Sequence, residues 1–117
     1  MPNRKILKMS LAANTNVTIF VSTNVSNALP LLSYNGGPRV PLLDALGDSG
    51  AKRKLANGIY ILRVIADRDP NIQPADATIK ATVKGRDGGE VSVSITMDDN
   101  GEALLRLDFI MTNGVVS

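Results

Sequence analysis

The segment Leu55–Asp67, Leu-Ala-Asn-Gly-Ile-Tyr-Ile-Leu-Arg-Val-Ile-Ala-Asp, constrains the fold of this chain more than any other. In an extended backbone Tyr60, Leu62, Val64 and Ala66 share one face. Ile59, Ile61 and Ile65 share the other, interrupted only by Arg63. β-Branched and aromatic residues at this density favour a pleated strand. A strand apolar on both faces predicts an interior position, covered on each side. The segment therefore reads as a central strand of a β-sandwich.

Two-residue alternation also governs most of the remaining chain, which argues for strands over helices. Leu7, Met9 and Leu11 alternate with Lys8 and Ser10, and Val17, Ile19 and Val21 with Thr18 and Ser22. Between Asn24 and Gly50 the pattern weakens, with Pro30, Gly36, Gly37, Pro38 and Pro41 as punctuation. This stretch reads as loop with at most one edge strand. Within it, Pro41 and Gly47 are placed to open and close a single helical turn.

Three further runs follow: Ile79, Ala81, Val83; then Val91, Val93, Ile95, Met97; then Ala103, Leu105, Leu107, Phe109, Met111. They predict a C-terminal three-stranded antiparallel meander. A loop Asp99-Asn100-Gly101 with Gly101 left-handed would pair Val91 with Phe109, Val93 with Leu107 and Ile95 with Leu105. That register buries large apolar side chains worth about 1.5–3 kcal/mol each, which a two-residue Asn-Gly loop would not. The wet face of this meander would carry Lys80, Lys84 and Arg106, with Leu104 and Ile110 as exposed apolar interruptions.

The pattern L-x-x-G-x-Y-x-L-x-V-x-A-x-D around Tyr60 resembles the tyrosine-bearing strand of bacterial immunoglobulin-like and fibronectin-type modules. The resemblance covers this one strand. It implies an antiparallel sandwich of six to eight strands in which the Tyr60 hydroxyl bonds backbone upstream of it.

Composition narrows function by exclusion. The 117 residues suit one domain, 1–117, and 44% hydrophobic with 21% charged residues is the globular range. His, Cys and Trp are absent, so thiol, imidazole and disulfide chemistry are excluded; a hydrolase would need a carboxylate pair or a Ser–Lys arrangement, and no spacing singles one out. Two Phe and two Tyr leave few stacking platforms for nucleic acid or sugar, and a net charge of +2 falls far short of a dedicated nucleic-acid binder. No apolar run reaches the length of a membrane span or a signal peptide, so the expectation is a soluble chain, cytoplasmic or in mature secreted or virion form.

Two charged constellations remain as candidate sites. If the strands from Ile59 onward alternate in direction, Asp67, Asp69, Asp76, Asp98 and Asp99 gather at one end, where their oxygens could serve Ca²⁺. Asp is equally an ordinary turn former. Lys52, Arg53, Lys54, Lys84 and Arg86 would gather at the opposite end, able to receive a phosphate, an anionic lipid headgroup or an acidic partner, or simply to face solvent. The resulting expectation is a non-catalytic interaction or structural module that forms homo-oligomers through complementary ends or sheet edges and holds no cofactor. A calcium- or anionic-lipid-binding sandwich is the alternative, and an enzyme on the same scaffold the second alternative.

Overall fold

The computed structural model describes residues 3–12, 16–47, 49–56, 58–85 and 90–112, for 3–12 and 112 by their backbone. Nine strands occupy these residues: β1 (Asn3–Ala12), β2 (Asn16–Thr23), β3 (Ala28–Tyr34), β4 (Val40–Pro41), β5 (Ala51–Lys54), β6 (Gly58–Ala66), β7 (Ile79–Gly85), β8 (Glu90–Ile95) and β9 (Ala103–Thr112). They build a β-sandwich, as expected, but with nine strands in place of six to eight and one parallel pair, in a five-stranded sheet β1-β9-β6-β3-β4 and a four-stranded sheet β5-β2-β7-β8. Neighbours are antiparallel except β1 and β9, which run parallel from Asn3 beside Ala103 to Ala12 beside Thr112. The core is largely aliphatic. Val17, Ile19, Val21, Ile79, Ala81, Val83 and Val93 from the smaller sheet meet Tyr60, Leu62, Val64, Leu105, Leu107, Phe109 and Met111 from the larger.

β6 lies inside its sheet, hydrogen-bonded to β3 on one side and β9 on the other. Tyr60, Leu62, Val64 and Ala66 point into the core. Contrary to the expectation of cover on both faces, Ile59 is exposed and Ile61, Arg63 and Ile65 are only partly buried. Tyr60 is buried and its hydroxyl donates to the Ala56 carbonyl oxygen at 3.0 Å, four residues upstream, as the resemblance around this strand implies.

Two further expectations are corrected. The C-terminal meander does not form: β7 and β8 pair in the smaller sheet, but β9 crosses to the larger one between β1 and β6. Phe109 accordingly pairs with Tyr60, and Leu107 with Leu62. Alternation fixes which side chains face the core and leaves open from which sheet they do so. The inward residues of β8 and β9 belong to opposite walls of one core instead of adjacent positions on one wall.

The second correction is β3, a full strand between β6 and β4 inside the stretch expected to be mainly loop. Pro30 is tolerated there because its missing N–H faces the side of β3 where β4 offers only two residues. The Pro30 carbonyl still accepts from the Leu42 amide at 2.9 Å. The expected helical turn is a 3₁₀ turn, Leu43–Leu46, which buries Ala45.

The strand directions sort the molecule into two ends. One collects residues 24–27, 67–78 and 96–102. The other collects the starts of β2 and β6 and the ends of β3, β5, β7 and β9.

Candidate functional site

The five aspartates do lie at one end, but the structure divides them by role. Asp69 is buried, with both carboxylate oxygens engaged: Oδ2 accepts from the Ser26 amide and hydroxyl, each at 3.0 Å, and Oδ1 from the Asn71 amide at 2.9 Å. The Asn71 amide, followed by that of Ser26, holds the Asp69 carboxyl below the usual carboxylate range. Asp98 Oδ1 accepts from the amides of Asn100 and Glu102, tying the turn before β9. Asp67, Asp76 and Asp99 are exposed, and Glu102, which sequence reading left out, is exposed beside them. Among the described residues no three His, Cys, Asp or Glu side chains are grouped as metal ligands.

The basic constellation is likewise split. Lys52, Thr18 and Lys84 form one row across β5, β2 and β7 on the outer face of the smaller sheet. Two strand spacings separate the lysine backbones, about 10 Å. Lys54 stands further along β5, beside Asn16. An open groove of about 430 Å³ runs here between Lys52, Lys84, Asn16, Thr18, Phe20 and Ser49. Arg53, whose alternation turns it from this face, forms a bidentate pair with Asp44, Nη1 to Oδ2 and Nη2 to Oδ1, each at 3.0 Å. That bond lowers the Asp44 pKa and neutralises Arg53. Arg86 lies outside the described residues.

A third constellation appears only in the fold, on the outer face of the larger sheet. Register sets Arg63 of β6 beside Arg106 of β9, and Ile61 beside Asp108. Arg106 Nε donates to Asp108 Oδ1 at 2.7 Å and Nη2 to Oδ2 at 3.0 Å, which raises the Arg106 pKa. Arg63 Nη1 donates to Ser33 Oγ at 3.1 Å. Partial burial pushes the Arg63 pKa down, and the nearby charges of Arg39 and Arg106 push it the same way. The signal available beforehand was Arg63 itself, the single break in an otherwise apolar strand face.

The two outer faces differ in kind. The smaller sheet presents Thr18, Ser22, Lys80, Lys84, Ser92 and Ser94 around Phe20, with Thr82 and Ser92 hydroxyls bonded at 2.9 Å. The larger presents Leu29 at 40%, Ile59 at 52% and Ile110 at 38% exposure, with Ile61, Ile65 and Leu104 partly open between them.

These features define a two-sheet all-β sandwich with oppositely charged ends, one polar outer face and one apolar outer face bearing arginines. No protein-family model, no curated protein and no solved structure matches the chain.

Proposed function

We propose that the chain is a non-catalytic, immunoglobulin-like structural module that associates with further copies of itself end to end. The observation that carries this reading is the segregation of exposed charge along the strand direction. Asp67, Asp76, Asp99 and Glu102 outnumber Arg68 at one end, and Lys52, Lys54 and Lys84 outnumber Glu90, the cross-strand neighbour of Lys84, toward the other. Such a contact is heterologous, joining unlike surfaces, and repeats from copy to copy unless its rotation closes a ring. Support for the immunoglobulin-like kinship comes from the Tyr60 hydroxyl on the Ala56 carbonyl and from the seat of that strand between β3 and β9. Arg53 has no part in the contact, since Asp44 already neutralises it.

Sedimentation velocity over a concentration series tests the proposal. At low ionic strength the protein sediments faster than a monomer at micromolar concentration, and the triple charge reversal Lys52→Glu, Lys54→Glu, Lys84→Glu returns it to monomer. A wild-type monomer at every concentration and salt overturns it.

A further inference from the structure

We propose that the outer face of the five-stranded sheet docks a protein partner that brings carboxylates together with apolar side chains, and that this partner is not a second copy of the chain. The contrast between the two outer faces is the first ground. A sheet face turned to water carries polar side chains at alternate positions, as the smaller sheet does. On the larger sheet the same positions hold Leu29, Ile59, Ile61, Ile65, Leu104 and Ile110. Apolar residues gathered on one face, with charge at its centre, mark an interaction surface.

Charge decides the occupant. Arg106 and Asp108 satisfy one another. Arg63 bonds the Ser33 hydroxyl, and among the described residues it forms no ion pair with a carboxylate. Arg39 lies beside it. The acidic groups in reach besides Asp108 are Asp67 and Glu102, which line the rim of a depression of about 190 Å³ shared with Arg39, Arg63, Ile65 and Leu104. At the centre of the face the Arg63 guanidinium thus stands without an ion pair among the described residues, inside an apolar surround. A partner carboxylate there would meet partly desolvated guanidinium groups, where charge-assisted, bidentate hydrogen bonds are strongest. A second copy docked with its two-fold axis through the Arg63–Arg106 pair would instead set these arginines against their own images, and like charges in an interface oppose association.

The test uses the ¹⁵N-labelled 117-residue chain and three synthetic peptides of equal length: one of Glu and Leu, one with Lys in place of Glu, and one with Ser in place of Leu. Fluorescence anisotropy gives affinity and amide shifts locate the contact. The Glu/Leu peptide is expected to bind, shifting amides of β6, β9 and β3, while the Lys/Leu peptide does not bind and the Glu/Ser peptide binds at least about tenfold more weakly. Arg63→Glu should weaken the Glu/Leu peptide by about tenfold or more. Should that variant fail to fold, Ile59→Ser with Ile110→Ser, at exposed positions, gives the same reading. The Lys52, Lys54, Lys84 reversal should leave peptide binding unchanged, which separates this face from end-to-end assembly. Equal binding of the Glu/Ser peptide, shifts confined to the two ends, or no binding overturns the proposal. So does assembly that Arg63→Glu abolishes, which would make the face an interface between copies, or capture by anionic vesicles dependent on Ile59 and Ile110, which would make it a membrane surface.

Discussion

Tyr60 joins two kinds of interaction in one side chain. Its ring sits between Tyr34, at 5.0 Å between centroids, and Phe109, at 5.3 Å and nearly parallel, so neighbouring strands β3, β6 and β9 contribute one aromatic row. Its hydroxyl closes the chain reversal before β6 on the Ala56 carbonyl. Burial, and then Tyr34, push the phenol pKa up. Tyr60→Phe keeps the ring and removes the bond, so it should cost about 1 kcal/mol in denaturant unfolding. Asp69 gives a pH signature. A carboxyl held below its ordinary value stabilises the fold while ionised, so its contribution is full above the unfolded pKa of about 3.9 and is lost as pH falls through the folded value. Asp69→Asn should therefore unfold at a lower denaturant midpoint than wild type near neutral pH. The two curves should draw together on acidification, and parallel curves down to strong acid would contradict this role.

The turn before β9 separates local from long-range information. Gly101 adopts φ +77°, its amide donates to the Asp98 carbonyl at 3.0 Å, and the Asp98 amide donates to the Glu102 carbonyl at 3.0 Å. The left-handed glycine is as the sequence predicts, because only glycine takes this conformation without a steric cost. A Cβ at Gly101 would also stand 2.7 Å from Arg68 Cβ. Gly101→Val should destabilise by at least about 1–2 kcal/mol, read as a shift in denaturant midpoint without loss of cooperativity. Beyond the turn, prediction and structure part: β8 stays with β7, and β9 enters the other sheet. β3 was hidden for a related reason. Leu31 and Ser33, which alternate outward, are both buried, and Pro30 sits where the ladder needs no donor, so neither alternation nor punctuation shows a strand there.

Across the whole molecule, the charged ends predict a salt response that sheet contacts would not share. Raising ionic strength from about 0.05 to about 0.5 M shortens the Debye length from ~14 to ~4 Å, so end-to-end assembly should fall away in sedimentation profiles over that range. Assembly that persists at the higher salt would instead implicate apolar contacts. The sequence by itself determined the all-β class, the inward set on β2, β6, β7, β8 and β9, and the special conformation at Gly101. Each depends on side-chain alternation or on a few neighbouring residues. Tertiary structure alone decided which strands share a sheet, that Asp69 ties the backbone at Ser26, and that Arg63 stands beside Arg106 on a partly open apolar face. Those outcomes rest on pairing between residues far apart in the chain, and a period-two pattern carries no label saying which strand lies next to which.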